Sequence, residues 1–207
     1  MNVVIILFTL LLGVLYLNEI RKTKFTTKKI VVIGIFSGIS FILSMIEFIK
    51  FPQGGGIALF SMMPVMVVSL LFGKAEGLTS GLVYGLLKLL NGAYVVHPVQ
   101  FLLDYVLANM VLGFAGSFGN DKKIKVILGC LMASMISVLC SVLSGVVFFG
   151  QYTPEGVNVW LYSIVYNFLC VGLEGILCTI LVAFMPLARI AKQAKLNTPK
   201  RANKCID

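Results

Sequence analysis

Charged residues and histidine are scarce in this sequence. Only 12% of its 207 residues are Asp, Glu, Lys or Arg, and His97 is the single histidine. The sequence contains no cluster of metal ligands, no Ser-His-Asp set and no C-x-x-C pair. The Gly73-Lys74 pair is followed by Ala75 instead of the Ser or Thr of a P-loop. The sequence therefore disfavours an enzyme or an ATPase, and we expect no metal and no cofactor.

Apolar residues are abundant, at 59% of the chain with a mean hydropathy of +1.00. A soluble domain of this size cannot bury so much apolar surface, so the chain belongs in a bilayer. About 20 apolar residues are needed to cross a bilayer. The sequence has seven approximate spans, of which the third and fourth are short: 2–20, 29–49, 57–73, 77–92, 99–118, 124–149 and 159–187. These spans predict an all-α integral membrane protein.

The net charge of +9 comes from basic residues on alternate connections between these spans. They follow the first, third and fifth spans and fill the C-terminal tail, whereas the other connections hold only Lys50. By the positive-inside rule, this pattern places the N-terminus outside and the C-terminus in the cytoplasm. We interpret the charge as a topology signal with some contact to anionic lipid, and not as a nucleic-acid surface. The 2–20 span lacks a basic start and a small-residue cleavage site, so we expect a retained anchor.

The carboxylate of Asp104 stands inside the fifth predicted span. Asp104 lies in HPVQFLLDYVLANMVLGFAG, where a charge costs roughly 2.5–3.5 kcal/mol near mid-membrane. Other polar and aromatic side chains fall in the same outer half of the membrane: Gln100, Tyr105, Tyr162, Tyr166, Asn167 and Lys88. A carboxylate among aromatic rings suits a small cationic aromatic ligand that arrives from outside, because the rings add cation–π attraction of about 0.5–2 kcal/mol each.

Structural explanations compete for the same residues. Asp104 can instead form a structural ion pair with Lys88. Glu174, near mid-membrane, fits either a polar floor of the pocket or a helix-packing contact, and the sequence does not decide between them. The remaining positions also have explanations without a ligand. An interfacial aromatic belt would explain Tyr94, Trp160 and Tyr162, and a tight turn would explain Gly54, Gly55 and Gly56. A place in a loop would explain His97.

Several ordered blocks also carry a family resemblance. They are PQGG at Pro52–Gly55, GLTSGLVYGLL at Gly77–Leu87, HPVQFLLDY at His97–Tyr105, SGVVFFGQYTPEG at Ser144–Gly156 and YSIVYN at Tyr162–Asn167. Across them, from about Ile30 to Arg189, the chain resembles the thiamine-specific substrate-binding (S) component of energy-coupling-factor (ECF) vitamin transporters.

The resemblance implies a six-helix membrane fold that binds thiamine near its outer face. It also implies partners: one membrane coupling subunit and two ATPase subunits. Residue by residue, the family's ligand-binding positions fall on Asp104, Tyr105, Tyr94, Gly145, Phe149, Tyr162 and Asn167. The family's pocket-histidine position falls on Ser141, and Gln100 and Tyr166 are added from their places in the spans, so that these ten form the predicted substrate-binding set.

The sequence departs from the family in two ways. Ser141 stands where the family usually has a pocket histidine, which either weakens thiamine binding or admits a different thiamine-like ligand. The 2–20 span is extra to the six-helix pattern. We therefore divide the chain into an extra helix with a basic linker (1–28), the six-helix binding domain (29–189) and a basic cytoplasmic tail (190–207).

A small-x-x-x-small pattern, Gly34 to Gly38, marks the first family-type helix and lets another helix approach closely. Packing within the subunit explains it equally well, while the family resemblance implies contact with the coupling subunit. We predict an S component of the plasma membrane that binds thiamine. The rivals are the same subunit class for a thiamine precursor or another vitamin, a stand-alone secondary transporter, and a membrane enzyme, which the missing acid–base and metal sets disfavour.

Overall fold

The protein is almost entirely helical in the part that our computed structural model describes, residues 2–51, 55–92 and 94–196. The helices are α1 (Asn2–Lys22), α2 (Thr27–Ser44), α3 (Met63–Phe72), α4 (Lys74–Leu87), α5 (Pro98–Phe118), α6 (Lys123–Phe148), α7 (Val159–Phe184) and α8 (Leu187–Leu196). Two short strands, β1 (Glu47–Lys50) and β2 (Gly56–Ala58), pair antiparallel. Most of the PQGG block, Pro52–Gly54, and the tail beyond Leu196 lie outside the described residues.

Helices α2, α5, α6 and α7 are long and apolar enough to cross a membrane, and α3 is a shorter apolar helix. The protein is thus a multi-pass membrane protein. The expected fold class is confirmed, with α2 to α7 as the six helices and α1 as the additional one. Helix α8 runs across the boundary at residue 189 that the sequence suggested for the tail.

The predicted span 29–49 was wrong at its C-terminal end, and the predicted span 57–73 was wrong at its N-terminal end. Helix α2 stops at Ser44, and the apolar residues on either side of the glycine run form the β1–β2 hairpin. Hydropathy measures transfer into an apolar environment and does not distinguish a strand from a helix in a short apolar run. The 77–92 span instead begins earlier, at Lys74, because Gly73 reverses the chain in one residue with φ of 122°. Only glycine adopts that conformation readily.

Helices α4 and α5 meet backbone to backbone. A Cβ atom on Gly81 would collide with the carbonyl oxygen of Asn109, and one on Gly85 with that of Tyr105. Small residues allow this close approach between helices in a membrane. The contact holds the C-terminal half of α4 beside the stretch of α5 that carries Asp104.

Gly81→Ala is therefore expected to destabilise the protein by about 1–3 kcal/mol, since overpacking against backbone cannot be relieved by a rotamer change. Thermal unfolding in detergent should show a lower Tm. Gly38→Ala is the matched control, because a Cβ there meets no atom within 4 Å. Equal Tm values for the two variants would contradict the α4–α5 packing.

Helix α1 packs antiparallel against α4. Its buried Ile5 and Leu12 lie in one apolar cluster with residues of α4, α5 and α6. Nearer its C-terminal end, the Tyr16 and Thr79 hydroxyls are 3.4 Å apart. The additional helix is thus attached along one side of the bundle.

Ionic and polar contacts bring the basic connections to one end of the molecule. Glu19, near the end of α1, pairs with Lys74 at 2.8 Å. Lys29, at the start of α2, pairs with Glu76 near the start of α4. Asn120, between α5 and α6, donates from Nδ2 to the Leu70 carbonyl oxygen at 2.8 Å. The hairpin and the loops before α5 and α7 lie at the opposite end.

Candidate functional site

A cavity of about 280 Å³ opens at the hairpin end and reaches into the bundle between α4, α5, α6 and α7. This volume is close to the lower limit for small-molecule sites. All ten residues of the predicted substrate-binding set line it: Tyr94, Gln100, Asp104, Tyr105, Ser141, Gly145, Phe149, Tyr162, Tyr166 and Asn167. The structure thus gathers them in one place, and their role towards a ligand stays a prediction.

The Asp104 carboxylate is held by neutral donors. Gln100 Nε2 donates to its Oδ2 at 2.8 Å, and Ser144 Oγ donates to the same atom at 2.6 Å. Within the described residues, no hydrogen bond ends on Oδ1 and no ion pair joins Asp104 to Lys88. The hypothesis of a direct Lys88–Asp104 ion pair is therefore wrong. One carboxylate oxygen is thus positioned by two side chains of the protein, and the other accepts no hydrogen bond from the described residues.

Asp104 belongs to a π-helical segment of α5, Leu102–Leu107. Such a segment disturbs the regular hydrogen-bond ladder of the helix and is frequent at functional sites. Asn109 compensates, because its Nδ2 donates to the carbonyl oxygens of Asp104 and Tyr105 at 3.2 and 2.7 Å. Helix α7 repeats the device, with a π-helical segment at Phe168–Gly172 directly after Asn167.

Three aromatic rings stand at the mouth of the cavity. Phe149 lies between Tyr94 and Tyr152, with ring centroids 6.1 and 6.2 Å away. The two tyrosine hydroxyls are 3.1 Å apart. This hydrogen bond raises the pKa of Tyr94, so its phenol stays neutral at physiological pH. The Tyr94 N–H donates to the Tyr105 hydroxyl at 3.0 Å, which fixes the loop to α5.

Helix α7 supplies a second aromatic wall and anchors the hairpin. Tyr162 and Tyr166 stack with ring centroids 6.1 Å apart, because residues four apart lie on the same face of a helix. The Gly55 N–H donates to the Tyr166 hydroxyl at 3.2 Å, and Phe51 packs edge-on against the same ring. A Cβ on Gly55 would collide with that hydroxyl, so the position requires glycine. The hairpin is thus fixed over the cavity.

Two other predicted residues have clear structural roles. Gly145 brings α6 against α7, since a Cβ there would collide with the Ser163 hydroxyl. His97 caps α5 by accepting from the Val99 N–H at 3.1 Å and stacks on Phe148, as expected of a loop histidine.

Glu174 forms part of the cavity floor. Its Oε1 accepts from both the N–H and the hydroxyl of Ser61, each at 2.7 Å, and the Tyr84 hydroxyl donates to Ser61 Oγ at 2.8 Å. Glu174 is buried and lines the cavity. The residue before Ser61, Phe60, has φ of 54°, a conformation that costs about 1–2 kcal/mol. The backbone is therefore strained where it directs donors at this carboxylate.

Sequence reasoning missed several residues of the site: Ser61, Tyr84, Asn109, Ser137, Ser144 and Tyr152. A weak signal was available for Tyr84, a polar side chain four residues before Lys88 in an apolar helix. Small serines in spans carry no comparable signal. Gly34 and Gly38 do not join the cavity; they lie on α2, and a Cβ on either meets no atom within 4 Å.

The comparisons with known proteins agree with this architecture. The family model for "Thiamine transporter protein" matches residues 30–194. The thiamine transporter ThiT of Bacillus subtilis (strain 168) is 32% identical over 184 residues, covering 81% of this chain and 95% of the relative. The ThiT of a Lacticaseibacillus paracasei strain (ATCC 334) is 26% identical over 167 residues, covering 69% and 81%.

Two solved structures share the fold. A ThiT from Listeria monocytogenes superposes with a TM-score of 0.64 at 26% identity, covering 76% of this chain and 94% of that one. The S component of a bacterial ECF transporter superposes with a TM-score of 0.57 at 21% identity, covering 81% and 98%. The second likeness concerns the fold alone. The family resemblance is thus confirmed: the chain belongs to the thiamine transporter protein family and is a non-enzymatic transport protein.

Proposed function

We propose that this protein captures thiamine at the outer face of the plasma membrane as the substrate-binding subunit of an ECF-type importer. One observation carries the proposal: in an aromatic-lined cavity, Asp104 is positioned through one oxygen while the other accepts no hydrogen bond from the described residues. Thiamine joins an aminopyrimidine to a cationic thiazolium ring. Its amino group supplies the missing donor, and its charge compensates the carboxylate.

The aromatic residues bind the two rings of the ligand. Phe149 and Tyr94 stack on one ring from the mouth, and Tyr162 and Tyr166 bound the other from α7. Each ring over the cation adds about 0.5–2 kcal/mol. Asn167 Nδ2 donates to the Ser163 carbonyl oxygen at 2.9 Å, which orients its own oxygen to accept from the pyrimidine.

Energy for release into the cell comes from partners, a membrane coupling subunit and two ATPase subunits. Family membership and the likeness to an S component support this proposal. The Gly34–Gly38 surface of α2 is our proposed contact with the coupling subunit, because it is open and flanked by exposed apolar side chains such as Ile35 and Ile42.

We place the N-terminus outside and the C-terminus in the cytoplasm. The grouping of Lys29, Lys74 and the basic α5–α6 connection at one end supports this orientation by the positive-inside rule. We also propose that residues 29–189 form the binding domain and 1–28 a separate anchor, since no described residue of α1 lines the cavity.

Isothermal titration of the purified protein with thiamine tests the function. We expect binding below micromolar concentration, both in the full chain and in a variant that lacks residues 1–22. A wild-type chain that does not bind at micromolar thiamine would refute the function. Loss of binding in the shortened variant alone would refute the domain division.

A thiamine precursor is the second candidate ligand, because Ser141 replaces the family's pocket histidine in the cavity wall. Competition by the separate pyrimidine and thiazole halves distinguishes the two. Thiamine as the ligand requires that each half alone binds more weakly than the whole molecule. Uptake by vesicles that contain this chain alone, driven by an ion gradient without ATP, would instead indicate a stand-alone secondary transporter.

A further inference from the structure

Lys88 is a cavity residue that the proposed ligand contacts leave unexplained. It lies where α4 passes into the 3₁₀ turn Lys88–Asn91, and it lines the cavity. Its Nζ is 5.6 Å from the centre of the Tyr84 ring, a cation–π distance. Among the described residues, no hydrogen bond and no ion pair reaches its ammonium group. An ammonium inside a membrane protein without a direct acceptor needs an electrostatic reason.

That reason is the charge of the cavity. Three carboxylates line it: Glu47, Asp104 and Glu174. Glu47 already faces Lys50, with 3.6 Å between the charged atoms. Asp104 and Glu174 are held only by neutral donors among the described residues. Their two formal negative charges and the single positive charge of Lys88 leave the cavity at minus one.

We propose that Lys88 is a specificity residue that acts as a resident counter-cation. Its ammonium compensates one of the two carboxylates in the empty cavity, so the cavity accepts a ligand with one positive charge and repels any further cation. The inference rests on the proposed function and deepens it, because thiamine carries one cationic ring. Lys88 stabilises the empty protein and at the same time weakens thiamine binding through like-charge repulsion.

Substitution of Lys88 should therefore strengthen thiamine binding. Two unit charges several ångströms apart at a protein-like effective dielectric repel enough for an affinity gain of about tenfold in Lys88→Gln. The neutral pyrimidine half of thiamine feels no such repulsion, so its Kd should be unchanged. The empty Lys88→Gln protein should have a lower Tm, since two carboxylates then face each other without a counter-charge.

Isothermal titration of the full chain with thiamine and with the pyrimidine half tests this inference. Lys74→Gln is the matched control, because it removes the same charge at the opposite end of the bundle. Lys88→Gln combined with Glu174→Gln restores the net charge of minus one and should return the thiamine affinity towards the wild-type value. If the single variant does not fold, Glu174→Gln alone carries the test: it brings the net charge of the cavity to zero and should weaken thiamine binding, and unchanged affinity would overturn the inference.

Each outcome of the titration either supports the inference or overturns it. Tighter thiamine binding that the second substitution reverses, with no change for the pyrimidine half, supports it. Unchanged or weaker thiamine binding in Lys88→Gln overturns it, as does an equal shift for both ligands, which would indicate a steric effect. In either case a wild-type chain that binds thiamine leaves the proposed function intact, whereas a wild-type chain that binds none refutes that function itself.

Discussion

Asp104→Asn is expected to weaken thiamine binding about a hundredfold. The substitution keeps the shape of the side chain but, in the proposed complex, removes the charge that compensates the thiazolium and one acceptor for the amino group. Truncation of one partner of a desolvated, hydrogen-bonded charge pair costs about 2–5 kcal/mol, and roughly 3 kcal/mol corresponds to two orders of magnitude in Kd. Isothermal titration of the detergent-purified variant measures the loss.

The empty protein gives a second readout for the same variant. Gln100 Nε2 and Ser144 Oγ can still donate to the amide oxygen of the substituted side chain, and a buried charge has been removed. The Tm without ligand should therefore not fall, while the rise in Tm that thiamine produces should disappear. Asp121→Asn is the control, because Asp121 pairs with Lys125 near the loop between α5 and α6, far from the cavity. An Asp104→Asn variant with wild-type affinity would refute the assigned site.

The membrane fold and the location of the site were predictable because both depend on strong energetic penalties. An apolar run is expensive to expose to water, and a carboxylate such as Asp104 is expensive to hold in a bilayer. These penalties act on single residues, so they are visible in the sequence. They were sufficient to locate α5, α6 and α7 and to single out Asp104, whereas most of the substrate-binding set was implied by the family resemblance.

The details that complete the site depend on contacts between distant segments. The π-helical segment around Asp104 needs the Asn109 side chain to satisfy its carbonyl groups, and no periodicity announces it. Ser144 and Ser61 are small polar residues that single spans tolerate without penalty. They donate to the two carboxylates only because of how α6 and the segment after β2 pack. Hydropathy likewise could not separate β1 from the end of α2.

Leucine at both Gly34 and Gly38 is expected to lower uptake strongly while thiamine binding is kept. A partner helix that approaches these glycines closely would meet two large side chains, and overpacking costs about 1–3 kcal/mol at each site. The two free-energy penalties add, so the assembly constant falls by the product of two factors. Uptake of labelled thiamine by cells that carry the complete transporter should therefore fall roughly tenfold or more. Neither glycine lines the cavity, so the Kd of the purified variant should equal that of the wild type.

Gly13→Leu is the matched control for this prediction. Gly13 is also an open helix glycine, with no atom within 4 Å of an added Cβ, but it lies on the additional helix α1. If the coupling subunit docks on α2, the control transports normally. If Gly13→Leu abolishes uptake and the α2 variant does not, the docking surface lies on the helix that is extra to the six-helix fold. A loss of thiamine affinity in the α2 variant would instead show that Gly34 and Gly38 serve packing within the subunit, because a change on that face would then have reached the cavity through the bundle.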